Sequence, residues 1–212
     1  MKSRFVDWYL VRHAPVAGAK QGIYRSLDGA ADLSDTTALD VAAKRLPTDA
    51  RWWTSPMRRT RETASALADR IPPQPAPAVE ERLREQDFGA WHGLTFEELW
   101  KKIRDLPPHN WSYLAPETTP PDGENYLVLW ERAASFIEER TRESSSAPLV
   151  LVTHAGVIRA IVGQALGLTP SRALALGIAT LSVTKLTQSR PPTPASARDR
   201  GGDWEIRYLN RA

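Results

Sequence analysis

The sequence contains no cysteine, which excludes a disulfide scaffold and any thiolate metal site and fits a reducing compartment. With only four histidines, a metal would have to be held by imidazole and carboxylate groups alone. No apolar run approaches the roughly 18 residues that a membrane span needs, and the opening stretch Met1–His13 lacks the long apolar segment and small-residue cleavage site of a secretory signal. The formal net charge of +3 comes from Lys and Arg spread among Asp and Glu, so there is no basic block of the kind that binds nucleic acid. The expectation is a soluble, cytoplasmic protein with no metal or cofactor and with neither nucleic acid nor membrane as a partner.

What remains is an ordinary globular composition. The 212 residues, 42% hydrophobic and 25% charged, fit one domain over residues 1–212, since single α/β domains reach about 200 residues. Phe5–Val11 is short, apolar and rich in β-formers, and Pro15 opposes its continuing as a helix, so it reads as a strand ending beside Arg12 and His13. Ala14–Asp35, with Gly18, Gly22 and Gly29, reads as a long loop, and loops of that length are uncommon unless functional. Thr37–Leu46 has helical spacing. Arg51–Ser55 reads as a second strand, followed by a helix with Pro56 in its first turn and Ser55 as its cap.

Pro72–Val79 reads as a proline-rich surface connector. In Leu94–Ile103 a short helix is expected, with Thr95 and Glu98 at capping-box spacing and Pro107-Pro108 beyond its end. Gly123–Glu143 has the spacing of a long amphipathic helix. Ala147–Gly167 reads as an apolar strand, a His-Ala-Gly turn and a helix. Thr180–Leu186 and Asp203–Asn210 alternate like two final strands, joined by a Pro/Ser/Arg-rich link over Gln188–Gly202. Strands alternating with helices predict a three-layer α/β/α sandwich around a largely parallel central sheet. Ligands of such sheets sit outside the carboxyl ends of the strands, where His13 and His154 both fall.

A histidine at a strand end is ordinarily structural or simply exposed, but two at equivalent strand-to-loop positions are a more specific sign. A neutral imidazole is a competent nucleophile near pH 7, because its ordinary pKa of about 6.5 leaves much of it deprotonated. Arg12, next to His13, offers a planar fork of N–H donors that matches phosphate oxygens. Arg58, Arg59 and Arg61 follow the second strand; read alone, such a run is a solvated basic face, with pairing such as Arg58 to Glu62. Glu85, read alone, is a partner of Arg82 or Arg84.

Five stretches in chain order change that balance: "LVRHAPV" (Leu10–Val16), "SPMRRTRETA" (Ser55–Ala64), "LREQDFGAWHGLT" (Leu83–Thr95), "PDGEN" (Pro121–Asn125) and "VTHAGVIRA" (Val152–Ala160). Together they resemble the histidine phosphatase superfamily, also called the phosphoglycerate mutase-like family, and most nearly its α-ribazole-phosphatase-like branch. The resemblance implies that His13 is transiently phosphorylated, that Arg12, Arg59 and a protonated His154 hold the phosphate, and that Glu85 is the proton donor. It singles out Arg59 rather than Arg58 or Arg61. The implied activity is metal-independent hydrolysis of a small-molecule phosphomonoester through a phosphohistidine, with catalytic His13, Glu85 and His154.

This sequence also departs from the pattern. Ala14 stands where Gly is usual, adding one methyl group. His92 replaces the Glu of a Trp-Glu-Gly segment, Asn125 replaces Ser, and Arg25, after Tyr24, occupies a Gly position of the α-ribazole branch. Two other readings stay open: a phosphoglycerate mutase, against which Trp100–Asp122 offers only Lys101, Lys102 and Arg104 as cations, and a non-catalytic phosphate-binding module. Glu124 is a candidate to orient Arg59 or another pocket group, His92 to line the pocket, and His109 to lie at the surface. The eight tryptophans leave room for an aromatic contact surface and hence for a homodimer.

Overall fold

The computed structural model describes residues 5–18, 23, 28–72, 75–143, 145–189 and 203–212. Its sheet has the strands β1 (Phe5–Arg12), β2 (Arg51–Thr54), β3 (Ala78–Val79), β4 (Leu149–Thr153), β5 (Val183–Ser189) and β6 (Trp204–Arg211) in the order β3-β2-β4-β1-β5-β6. The β3-β2, β2-β4 and β4-β1 pairs are parallel, whereas β5 runs antiparallel to both β1 and β6. The largely parallel sheet expected from the strand-helix alternation is therefore present, with one opposed strand.

Side chains alternate across a strand, and in β1 both faces are apolar. Val6, Trp8 and Leu10 join one buried cluster, and Tyr9 and Val11 join another on the opposite face. Leu149 and Leu151 of β4 likewise pack with the first cluster, Val150 and Val152 with the second. A sheet that is apolar on both faces has to be covered on both. Helices α4 (Tyr126–Arg142) and α5 (Ala155–Ala165) cover the first face through Leu129, Phe136, Ile158 and Ile161; α1 (Thr36–Ala43) and α2 (Arg58–Ala68) cover the second through Leu39, Ala42, Ala64 and Leu67. Each fully buried Leu or Ile side chain contributes about 1.5–3 kcal/mol relative to exposure. The layers are those of an α/β/α sandwich.

Helix α3 (Phe96–Ile103) starts on the expected capping box, with the Thr95 hydroxyl accepting from the Glu98 amide and the Glu98 carboxylate accepting from the Thr95 amide. The short helix α6 (Pro170–Ala173) is capped by Thr169. Among the described residues no helix is long and apolar enough to cross a membrane.

Several boundaries differ from the sequence reading. Met57, not Ser55, holds the N-cap position of α2 and makes no side-chain capping hydrogen bond, and Pro56 precedes the helix. The Ser55 amide still donates to Val152 O at 3.2 Å, so Ser55 prolongs the sheet ladder. The end of the proline-rich connector forms β3, which pairs with Trp53 and Thr54. Helix α4 begins three residues after Gly123 because Asn125 caps it, its side-chain oxygen accepting from the Val128 amide at 3.1 Å. Strand β5 begins at Val183 and runs to Ser189, so the expected link over Gln188–Gly202 starts inside a strand; its residues 190–202 lie outside the described residues. In the long loop after His13, Val16 and Ala31 pair as an isolated antiparallel bridge. Gly22, Tyr24 and Arg25 lie outside the described residues.

Candidate active site

The register of the sheet brings the two histidines together. Arg12 of β1 is paired with Thr153 of β4, so the residue that follows each, His13 and His154, leaves the sheet at the same level. The His13 amide donates to Thr153 O at 3.0 Å, and the two rings stand edge to face with centroids 5.0 Å apart. Ser55, after β2, completes a row of three strand ends, because β4 lies between β2 and β1. All three side chains are buried.

The tautomer of His13 follows from its surroundings. Its Nδ1 lies 2.6 Å from Ala14 O, and a carbonyl only accepts, so Nδ1 carries the hydrogen and Nε2 keeps its lone pair. Arg59 Nε donates toward that Nε2 at 3.3 Å. Burial, the Arg59 charge and the Arg12 charge together push the His13 pKa down to about 3, despite the opposing hydrogen bond to Ala14. The ring is neutral and held in one orientation, with its Nε2 lone pair facing Arg59. Ala14 fits where Gly is usual because it has no left-handed backbone and its methyl group packs among Tyr9, Val11 and Leu39. Its amide donates to Thr63 Oγ1 at 3.0 Å.

Two guanidinium groups approach the histidines. Arg12 donates through Nη1 to Ile178 O at 2.6 Å, which fixes the side chain, while its buried Nε has no partner among the described residues. Arg59 is buried on the first turn of α2 and reaches Met57 Sδ through Nη2 as well as His13. Its neighbours point elsewhere: Arg58 is exposed and pairs with Glu62 at 2.7 Å, and Arg61 is exposed. Of the three arginines of the basic run, one enters the site.

His154 precedes α5 and contacts Ser55 Oγ through Nε2 at 2.9 Å; its Nδ1 is buried and has no partner among the described residues. Burial holds its pKa well below the usual range, reinforced by His13, Arg59, Arg132 and Arg12. Burial and these charges favour the neutral ring, whereas the resemblance implies a protonated one that holds phosphate.

Glu85 closes the other side. Its Oε2 accepts from the Gly156 amide at 3.3 Å, in the first turn of α5, and its Oε1 accepts from the Gln86 amide at 3.2 Å. A Cβ on Gly156 would lie 2.3 Å from Oε1, so this contact needs glycine. The segment that carries Glu85 is tied from two directions. Thr153 Oγ1 donates to Leu83 O at 2.7 Å, and Arg132 of α4 donates to the carbonyls of Arg82, Arg84 and Glu85 at 2.7, 2.5 and 3.2 Å.

Glu124 is the acidic partner of Arg132, with 2.6 Å between Oε1 and Nη2, and so does not orient Arg59. Gly89 and Gly123 bring this segment against the Glu85 loop, because a Cβ on either would lie within 2.5 Å of the other loop's backbone. His92 lines the cavity, its Nε2 3.0 Å from Asp87 Oδ1. His109 lies outside it.

The cavity has a volume of about 200 Å³ and is walled by Arg12, Arg59, Glu85, Phe88, Tyr113 and Arg159, with Arg12 and Arg59 reaching from it to the buried histidines. Arg159 of α5 donates through Nε to Leu176 O at 2.9 Å and has no acidic partner among the described residues. Arg132 and Arg159 escape sequence reading: each is one cation on an amphipathic helix. The only signal was that Arg159 lies five residues after His154, within the fifth stretch. Among the described residues no group of three or more His, Asp or Glu side chains could hold a metal ion.

Residues 8–192 match the model of the histidine phosphatase superfamily, branch 1. A Hydrogenobacter thermophilus protein assigned as phosphoserine phosphatase 2 is 31% identical over 161 residues, 73% of this chain and 75% of that protein. The glucosyl-3-phosphoglycerate phosphatase of Mycolicibacterium vanbaalenii is 31% identical over 160 residues, 65% of this chain and 64% of that protein. An Escherichia coli structure described as an α-ribazole-5′-P phosphatase shares the fold, with a TM-score of 0.76 at 15% identity, covering 97% of this chain and 96% of that one. The paired strand-end histidines, the inward Arg59 and the five ordered stretches thus have one explanation: the chain belongs to the histidine phosphatase superfamily, branch 1.

Proposed function

We propose that this protein is a metal-independent phosphomonoesterase that works through a phosphohistidine at His13. His13 Nε2 attacks phosphorus in line, forming the N–P bond as the bond to the leaving oxygen breaks. Glu85, as the neutral acid, gives its proton to the departing alkoxide. Water then attacks the phosphohistidine, Glu85 takes a proton from it, and inorganic phosphate and free His13 result. Arg12, Arg59 and His154 hold the phosphoryl oxygens, each well-aimed donor contributing on the order of 3 kcal/mol to the barrier reduction. The observation that carries this reading is the locked Nε2 lone pair of His13, 3.3 Å from Arg59 Nε and one strand away from a second buried imidazole.

The substrate we propose is a small phosphomonoester that also bears a carboxylate. Arg159 supports this: it is a cavity-lining guanidinium with no acidic partner among the described residues, and a planar fork suits a carboxylate. The names of the two sequence relatives point the same way, because phosphoserine and glucosyl-3-phosphoglycerate are both carboxylate-bearing phosphomonoesters.

Turnover of a chromogenic aryl phosphate by the wild type and by His13→Ala tests the enzymatic reading. Hydrolysis by the wild type that is abolished in the variant is expected; equal background rates in both would sink it.

A further inference from the structure

We infer that Ser55 is a positioning residue that donates its hydroxyl hydrogen to His154 Nε2, so that His154 meets the phosphoryl group as a neutral Nδ1–H donor rather than as an imidazolium. The proposal rests on the phosphoryl-transfer reading above for what Nδ1 binds, but not for the tautomer itself.

The assignment comes from counting donors and acceptors. Ser55 is fully buried, and its Oγ has two neighbours within hydrogen-bond distance: the Met57 amide, which donates to it at 3.3 Å, and His154 Nε2 at 2.9 Å. A hydroxyl has one hydrogen to give and two lone pairs to offer. The Met57 amide occupies one lone pair and can accept nothing. If Nε2 carried the hydrogen, it would take the second lone pair, and the hydroxyl hydrogen would be stranded in a site without water access. A stranded buried polar hydrogen costs about 1–3 kcal/mol. With the hydroxyl donating to Nε2, every group around Ser55 is paired.

The ring hydrogen must then sit on Nδ1. That nitrogen is buried and has no partner among the described residues, so it is a donor waiting for an acceptor beside His13. Arg12 Nε is a second buried donor without a partner, on the neighbouring strand. One phosphoryl group accepts from both.

The charges facing the ring favour the same state. They are Arg12 and the neutral His13 from β1, Arg59 from α2 and Arg132 from α4. Glu85, the carboxylate that lines the cavity, is engaged with the Gly156 and Gln86 amides. A second hydrogen on His154 would add a positive charge beside three guanidinium groups, whereas a neutral N–H donor needs no such charge. Burial also opposes that charge.

Ring-¹⁵N-labelled protein tests this, with two-bond ¹H–¹⁵N correlations reading which nitrogen of each imidazole is protonated. The four histidines are assigned with His92→Gln and His109→Gln. Spectra are recorded from pH 6 to 8, alone and with saturating inorganic phosphate. Protonation of His154 at Nδ1 only, in both states, is expected. Protonation at Nε2 in the free protein, or at both nitrogens with phosphate bound, would overturn the proposal. Ser55→Ala should mix the His154 tautomers and lower kcat/KM by about 10- to 100-fold, with Ser55→Cys partly restoring both. An unchanged His154 signal in Ser55→Ala would also overturn it. The wild-type spectrum needs no turnover, so an inactive protein with the expected tautomer would contradict the phosphatase reading alone.

Discussion

Glu124 and Arg132 form an ion pair that is 14% exposed on each side, and the same guanidinium group carries the backbone carbonyls of Arg82, Arg84 and Glu85. The pair holds the backbone that carries Glu85 without itself lining the cavity. Breaking a buried pair by removing one partner costs about 3–5 kcal/mol, because the other charge is left without compensation. Arg132→Leu should therefore lower stability by that order in a denaturant titration. Displacing Glu85 by 1 Å should also lower kcat roughly 100-fold. Arg132→Leu with unchanged kcat would show that the clamp does not place Glu85.

Gly156→Ala tests the proposed role of Glu85 as proton donor. The added Cβ would lie 2.3 Å from Glu85 Oε1, so the carboxylate must move. A nitrophenolate leaves without a proton, whereas an alkoxide does not. The substitution should slow alkyl phosphate hydrolysis by about 100-fold and nitrophenyl phosphate hydrolysis far less. Equal losses on the two substrates would argue against Glu85 as the acid.

The buried histidines set a direction for acid stability. An unfolded histidine titrates near 6.5, whereas His13 in the folded protein titrates near 3 and His154 well below the usual range. Between those values the unfolded chain binds more protons, so stability falls as pH is lowered from about 6.5 toward 3. Chemical denaturation at a series of pH values should show this slope, and His13→Gln should flatten it. A wild-type stability that rises on acidification through this window would contradict the buried neutral state.

Arg159→Met tests the carboxylate preference. A charge-assisted hydrogen bond contributes about 1.5–3 kcal/mol, so kcat/KM for phosphoserine should fall about 10- to 100-fold, while that for a neutral alkyl phosphate changes little. Equal effects on both would remove Arg159 from substrate selection.

The sequence made the parallel core and the strand-end histidines legible because both rest on local signals. Apolar runs of four to eight residues locate β1 and β4, and the His13 and His154 positions follow from where those runs stop. The antiparallel course of β5 and the two-residue β3 were not legible, since pairing partners are set by tertiary contacts rather than by composition. Arg59 was separable from Arg58 and Arg61 only by resemblance: their spacing on one turn does not say which side faces the sheet. Ser55 was misread as a helix cap because a Ser-Pro step ahead of a helix is an ordinary N-terminal signal. Its amide instead extends the sheet ladder, and its hydroxyl is at His154. Arg132 and Arg159 act across long sequence separations, which no local pattern encodes.

The most direct test of the proposed chemistry is rapid quenching of the protein during turnover of a ³²P-labelled phosphomonoester, followed by peptide mapping. Acid-labile label on the peptide carrying His13, absent from His13→Ala and building up in Gly156→Ala if Glu85 also activates the water, is the predicted result. Turnover by the wild type with no label on His13 at any quench time would contradict it.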